Sequence, residues 1–424
     1  MRIRLSDLMR MLWAMLALTV PLFAVQFWRI NNEGLHIHIA PPMLIIGIIV
    51  FIVLCRGIFR VLPGNSRLPV FSAGFFFLLH LLEMMRAEDV GLAVREVGKL
   101  GFGLACFWAI AASFPRRKEE LARFWKTVLW VSAGLYIILI YWHFFVFKSA
   151  YLSGNLDELS RIGRNQVAEY LVYITPFAFA ALGESQGRLR SGLIAIVLVA
   201  ALVYGGSRAA ILSTIGGAGY MFWRLWVTRK LKLGRLVVIV LGTLLVVGLP
   251  LVAVLKYVPD LETTRKFHYL IDPNAVSRDD SGPYPLNSYH ERGMRIWGGI
   301  EMFLDSPIIG VGLTNSNFIL GTLTHNDYVS ILAETGIFGL LSFLGVLWAV
   351  KKRLFGLSRR IKDYDHWTGL GARMTFVAVL VSLVFTNSYT TPFLWIFLGL
   401  CWAQGEIEAE PDKSVRIDSR RAES

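Results

Sequence analysis

Apolar runs recur along the whole chain, and those of about 20 residues are long enough to cross a hydrocarbon core about 30 Å thick as a helix. The third, seventh and twelfth runs are shorter and could be tilted, interfacial or re-entrant. The runs are continuous and do not alternate with polar residues, so they predict membrane-spanning helices and exclude a transmembrane β-barrel. Only 17% of the 424 residues are charged, against about a quarter in soluble domains. We therefore predict an all-α integral membrane protein with about twelve transmembrane helices. The predicted spans are residues 8–28, 40–55, 68–83, 97–114, 127–147, 166–183, 191–206, 208–227, 236–257, 326–350, 371–387 and 391–405.

Clusters of Lys and Arg occupy alternate connections between these spans. They lie within residues 2–10, 56–67, 116–126, 188–190, 229–235 and 351–362. Because positive residues favour the cytoplasmic side of a membrane, that side is predicted to be cytoplasmic and to hold both termini. The net charge of +13 then needs no nucleic-acid partner, and the expected surroundings are membrane lipids. The cysteines form no CxxC pair and are interpreted as small packing residues: Cys55, Cys106 and Cys401.

One connection on the opposite, outer side is far longer than the others. It runs from residue 258 to residue 325, and connections of such length are usually functional. Within it, residues 289–304 carry apolar side chains at helical spacing, which predicts a short amphipathic helix at the membrane surface. The predicted organisation is spans one to nine in 1–257, a long periplasmic loop in 258–325, spans ten to twelve in 326–405, and a cytoplasmic tail in 406–424.

Arginines on the outer side need a reason other than orientation, because the positive-inside bias works against them. They are Arg161, Arg164, Arg208, Arg265, Arg278, Arg292 and Arg295. The planar guanidinium suits bidentate contact with phosphate, so several arginines converging from different loops would form a diphosphate site. The alternative is that they are solvated loop charges in contact with lipid headgroups.

His325 lies at the water-facing start of the tenth predicted span, next to Asn326. The positive end of the following helix disfavours a second proton on the imidazole, as a general base requires. The alternative interpretation is an interfacial histidine with a solvated tip. Glu334 lies about two turns into the same span, where we expect it to pair with an arginine or to tune the site. The outer segments contain no DxD or His-x-x-x-His pattern and the chain contains no P-loop, so a metal or nucleotide cofactor is not expected.

The run from His325-Asn326 through nine residues to Gly336-Ile-Phe-Gly339 has the form H-N-x9-G-x-x-G. This motif resembles the signature of the O-antigen ligase family. The segments 292–297 (RGMRIW), 306–312 (SPIIGVG) and 206–209 (GSRA) are similar to other elements of the wider ligase and polymerase superfamily. The resemblance covers most of the chain and implies a fold similar to the GT-C class.

The family implies a glycosyl transfer at the outer face of the inner membrane, without metal or nucleotide. The donor would be O-antigen linked to undecaprenyl diphosphate, and the acceptor a sugar hydroxyl of lipid A–core. By resemblance, His325 matches the essential histidine and Arg161, Arg208 and Arg265 the functional arginines, although Arg278 or Arg292 could take the place of Arg265. Asn326, Gly336 and Gly339 would be supporting positions.

Three other classes of function stay open. An O-antigen polymerase or a protein O-oligosaccharyltransferase shares the superfamily and the donor. A twelve-span transporter would have substrate-binding charges near the bilayer midplane and two repeated halves, neither of which the sequence contains. A structural membrane scaffold would leave His325 and the outer arginines without a purpose.

Overall fold

The computed structural model describes the chain in segments. They are residues 5–26, 28–32, 35–39, 41–55, 67–115, 117–142, 154–155, 161–162, 164–183, 187–205, 207–229, 288–321, 324–356 and 366–409. The helices are α1 (Leu5–Thr19), α2 (Pro41–Cys55), α3 (Arg67–Met84), α4 (Val90–Ser113), α5 (Lys118–Tyr141), α6 (Arg164–Ala181), α7 (Arg188–Tyr204), α8 (Arg208–Arg229), α9 (Ser288–Asp305), α10 (Asn315–Leu320), α11 (Asp327–Gly356), α12 (Trp367–Ser382) and α13 (Pro392–Ala409). The helical fold class is thus confirmed.

The helices carry large apolar side chains on the outside of the bundle as well as in its core. Phe71 is 73% exposed and Phe51 67%, although burying such a side chain is worth about 1.5–3 kcal/mol. An apolar surface of this kind is stable in lipid rather than in water. Three described segments are long and apolar enough to cross a membrane: Leu5–Leu22, Lys118–Tyr141 and Asp327–Gly356.

The core of the bundle is continuous and centres on the last two helices. α12 packs against α6 and α8, while α13 packs against α4 and α11. The contact between α4 and α13 is close because both helices carry glycine at the crossing. A Cβ on Gly103 would lie 2.6 Å from Trp395 Cδ1, and one on Gly399 would lie 3.0 Å from the carbonyl oxygen of Phe107. Small residues at a crossing let helix backbones approach, the usual solution in membrane bundles.

Short strands add to the helical architecture. β1 (Val25–Gln26) and β4 (Gly154–Asn155) both pair antiparallel with β5 (Arg161–Ile162), while β2 (Trp28–Asn32) and β3 (Leu35–Ile39) form a hairpin. The predicted first span is too long, because α1 ends at Thr19 and a 3-10 turn, Val20–Ala24, follows. Pro21, inside that turn, has no amide hydrogen to continue an α-helix.

Some of the other predicted elements are confirmed, and the rest lie outside the described residues. The amphipathic helix predicted at residues 289–304 is α9. A helix overlaps each remaining predicted span except the ninth, 236–257, which lies outside the described residues. The same is true of 258–287 in the long loop and of 410–424 in the tail. The count of twelve spans, the domain boundaries and the GT-C class remain predictions.

Candidate functional site

His325 lies at one end of the bundle, where three inter-helix segments meet. The connection between α3 and α4, residues 85–89, contacts the segment after α9, because the amide of Glu88 donates to Asn315 Oδ1 at 2.8 Å. The connection between α12 and α13, residues 383–391, reaches the start of α11, where the amide of Asp327 donates to the carbonyl of Leu383 at 2.8 Å. The site is therefore built from chain segments far apart in sequence.

The backbone of α11 is interrupted at Gly336, the first glycine of the motif. Its φ of 66° and ψ of −165° belong to a region that other residues rarely adopt. The segment 307–312 fills the interruption: Val311 N donates to Ala333 O at 2.8 Å, Gly312 N to Glu334 O at 3.2 Å, and Ile337 N to Pro307 O at 2.9 Å. The freed backbone groups of the helix are thus satisfied without water, as a buried helix break requires.

Both motif glycines are needed for space. A Cβ on Gly336 would overlap the carbonyl of Ile308, and a Cβ on Gly339 would overlap the hydroxyl of Thr335. Gly310 approaches the same break from the other side, where a Cβ would overlap the backbone of Glu334. The glycines in the second half of the motif therefore allow the segment 307–312 to pack closely against α11.

Arg86 fastens that segment to the rest of the site. Its Nη1 donates to Glu83 Oε2 at 2.7 Å and to the carbonyl of Gly310 at 3.1 Å. Asn315 Nδ2 donates in return to the carbonyl of Arg86 at 3.0 Å. Arg86 and Asn315 were not predicted from sequence, since nothing in their local sequence indicates partners more than 220 residues away.

His325 itself has a left-handed backbone, with φ of 56°, a conformation uncommon outside glycine. Its neighbours hold it there. The hydroxyl of Thr324 donates to the carbonyl of Asn326 at 3.1 Å and bonds the hydroxyl of Ser330 at 2.5 Å. Asn326 Oδ1 accepts the amide of Val329 at 3.1 Å, which caps α11. The imidazole therefore projects from a turn whose geometry is set on both sides.

The pKa of His325 is lowered from its ordinary value. The largest cause is the partial burial of the ring, and the positive charges of Arg292 and Arg295 on α9 add to it. All three effects disfavour the imidazolium. The direction agrees with the expectation of a neutral base, but burial and arginines produce it here, whereas the sequence analysis invoked the helix dipole.

Asp327, the residue that sequence reasoning overlooked, organises the connection 383–391. Its Oδ1 accepts the amides of Ser388 and Tyr389 at 2.7 and 2.9 Å. Its Oδ2 accepts the hydroxyl of Thr386 at 3.0 Å. The carboxylate is fully buried, and an ionisable group at the start of an otherwise apolar helix was the available signal.

Among the residues that the structure describes, Glu334 does not have the arginine partner expected for it. In the part of the chain that the structure describes, its carboxylate accepts the hydroxyl of Ser316 and, at 2.8 Å, the hydroxyl of Tyr389. It faces the interior of the bundle, where the segment 310–316 and the connection 383–391 supply hydroxyl donors. Glu334 is therefore a structural link between these two segments.

The predicted arginines are distributed unevenly. Arg292 and Arg295 are close enough to His325 to act on its pKa. Arg208 is the first residue of α8 and half-buried. The backbones of Arg161 and Arg164 lie in β5 and at the start of α6, but their side chains, like all of Arg265 and Arg278, lie outside what the structure describes. Their convergence on a diphosphate stays a prediction.

No metal-binding group of three or more His, Cys, Asp or Glu side chains occurs within the described ranges. The carboxylates near His325 face protein donors instead. That the reaction needs no metal remains a prediction.

Comparison with known proteins identifies the motif-bearing region. The family described as O-antigen ligase matches residues 193–344. The match contains Arg208, Arg292 and the complete motif from His325 to Gly339. No curated protein matches the chain. Over residues 193–344 the chain is therefore similar to the O-antigen ligase family.

Proposed function

We propose that this protein is an O-antigen ligase, an inverting glycosyltransferase that works without a metal. It transfers O-antigen from undecaprenyl diphosphate to a sugar hydroxyl of lipid A–core at the periplasmic face of the inner membrane. The observation that carries the proposal is the position of His325: half-buried, at the start of α11, with a lowered pKa and two arginines beside it. The family match over the same residues supports the chemistry.

The proposed reaction uses His325 as general base. The neutral imidazole accepts the proton of the acceptor hydroxyl as that oxygen attacks the anomeric carbon of the donor. The bond from the anomeric carbon to the diphosphate oxygen breaks, and its electron pair leaves with undecaprenyl diphosphate. Attack from the face opposite the leaving group inverts the anomeric carbon. The diphosphate is a good leaving group, so the step needs charge stabilisation rather than a general acid.

Arginines supply that stabilisation in the proposal. Arg292 and Arg295, whose charges lower the pKa of His325, are assigned a double role: they keep the imidazole neutral and attract the negative donor. Arg161, Arg164, Arg208 and Arg265 are proposed to complete the diphosphate site. Arg295 was among the outer-side arginines of the sequence, but the resemblance to the family did not assign it a role.

The proposed topology has twelve spans in a GT-C-like arrangement, both termini in the cytoplasm and His325 facing the periplasm. Contacts at the two ends of α4 support one part of it, the placement of His325 and the positive segments at opposite ends of the bundle. Near the start of α4, Thr390 Oγ1 donates to Glu96 Oε2 at 2.7 Å, at the His325 end. At its end, Ser113 O accepts Trp13 Nε1 at 3.1 Å, next to the positive segments assigned to the cytoplasm.

The test is lipopolysaccharide gel analysis of a deletion strain that expresses either the wild type or His325→Ala, with polyprenyl-linked polymer assayed in parallel. The expected result is bare lipid A–core, with long O-antigen still on the polyprenyl carrier. Lys352→Ala, an exposed residue near the opposite end of α11, is the control and should give a normal ladder.

Other outcomes would contradict the proposal. Core capped with a single repeat would identify a polymerase. A normal ladder accompanied by loss of a protein glycoform would identify a protein O-oligosaccharyltransferase. A normal ladder from well-expressed His325→Ala, without any such loss, would remove His325 as the base.

A further inference from the structure

A cavity of about 710 Å³ opens at the end of the bundle opposite His325. One wall is the first half of α5, and His366 at the start of α12 lies on the other side. The location follows from the helix directions. α5 begins just after α4 ends, and α12 runs from His366 to Ser382, whose neighbour Leu383 contacts the His325 end. The cavity is therefore separate from the proposed glycosyl-transfer site.

The wall on α5 changes character along the helix. Lys118, Arg123 and Lys126 line the part near the helix start, and Trp130 and Val131 line the deeper part. At 1.5 Å per residue, the distance from Lys118 to Trp130 is about 18 Å along the axis. The predicted fifth span begins at residue 127, so the change occurs where the headgroup region gives way to hydrocarbon.

The charge at the mouth is positive. Three cationic side chains line it, together with one acidic residue, Glu119, so the lining carries a net charge of 3 − 1 = +2 if His366 is neutral. Lys118, Arg123 and Lys126 are all exposed. A ligand that matches this wall has a negative head and an apolar body, with the head at the cations and the body along Trp130.

We propose that this cavity binds a membrane phospholipid with an anionic phosphodiester headgroup. The cations contact the phosphodiester, and an acyl chain lies along Trp130 and Val131. Basic pockets between helices on the cytoplasmic side of membrane proteins commonly hold such headgroups, and tryptophan is enriched at that depth. A soluble phosphate would leave the apolar half of the cavity without a partner. The inference rests on this end of the bundle lying at the cytoplasmic surface of the membrane and does not depend on the proposed reaction.

The experiment is native mass spectrometry of the full-length protein in detergent, titrated with dioleoyl phosphatidylglycerol or with dioleoyl phosphatidylcholine. The wild type is expected to retain phosphatidylglycerol in preference to phosphatidylcholine. R123A/K126A is expected to bind phosphatidylglycerol about 30-fold more weakly, if each cation contributes as at an anionic membrane surface. R123K/K126R keeps both charges and should bind as the wild type does.

The matched control is K351A/K352A, which removes two exposed cations near the end of α11, outside the cavity. It should not change the affinity. Equal loss in the control, no loss in R123A/K126A, or equal retention of the two lipids would overturn the proposal. Displacement of the lipid by millimolar glycerol 1-phosphate alone would also overturn it, because the site would then recognise a soluble anion. Trp130→Ala keeps all charges and should weaken the binding of phosphatidylglycerol without strengthening the binding of glycerol 1-phosphate.

Discussion

The two halves of the H-N-x9-G-x-x-G motif lie on the same helix but differ in environment. At the first half, His325 is half-buried, has a left-handed backbone and feels the charges of two arginines. At the second half, Gly336 and Gly339 are buried, and a Cβ on either would overlap the backbone of Ile308 or the side chain of Thr335. One half carries a partly exposed titratable group, and the other leaves no room for a side chain. A signature of this kind therefore combines a reactive position with the packing that keeps its helix in place.

The interruption at Gly336 explains why the two halves occur together. It lets the segment 307–312 bond directly to α11. α9, which carries Arg292 and Arg295, immediately precedes this segment. The glycines thus hold near His325 the helix whose arginines lower the pKa of its imidazole.

The largest expected effect is that of Gly336→Ala. The added methyl would overlap Ile308 O, and its φ of 66° is strained for alanine, so we expect a loss of about 3 kcal/mol or more in the free energy of unfolding. Denaturant titration in mixed micelles measures it. Gly134→Ala in α5 is the control, since a Cβ there meets no atom within 4 Å, and it should be neutral or slightly stabilising. Equal stability of the two variants would contradict the packing role assigned to the second half of the motif.

Asn326→Ala should have an intermediate effect. It removes the side-chain oxygen that caps α11, and a lost cap costs about 1 kcal/mol. The same titration measures the loss, and Asn326→Ser, which retains an acceptor, should recover most of it. If Asn326→Ala keeps its stability but loses glycosyl transfer, Asn326 takes part in the reaction. The first half of the motif would then contain a second reactive residue besides His325.

The smallest expected effect is a displacement of the pH profile by Arg295→Gln. Without this cation the pKa of His325 rises towards its ordinary value, so the neutral imidazole is lost at a higher pH than in the wild type. The acidic limb of the rate profile should move to higher pH, with a few-fold loss of rate on that limb and a smaller one at alkaline pH. Arg295→Lys keeps the charge and should keep the limb in place.

The measurement is the initial rate of transfer in vitro across the pH range. A uniform loss at every pH, with the limb unmoved, would mean that Arg295 contacts the donor without acting on His325.

Local sequence was sufficient for some of the site. His325 stood out because a polar turn opens an apolar helix, and α9 was recognisable from its apolar spacing. Glu334 shows the limit: its depth in the span was predictable, but its partners are Ser316 and Tyr389 rather than an arginine. Asp327 was missed, although its carboxylate holds the connection 383–391. These hydrogen-bond partners belong to segments far apart in sequence, and residue spacing within one helix cannot predict which of them meet.

The sequence alone determined that the chain forms apolar helices and that a histidine opens one of them, because hydrophobic periods and turn residues act over a few neighbours. Only the tertiary structure decided which charges surround that histidine. The burial of its ring, the approach of α9 and the break at Gly336 all depend on helices far apart in sequence packing at one end of the bundle. Electrostatic and steric effects act through space, so the pKa of His325 and the need for glycine at 336 are properties of the fold.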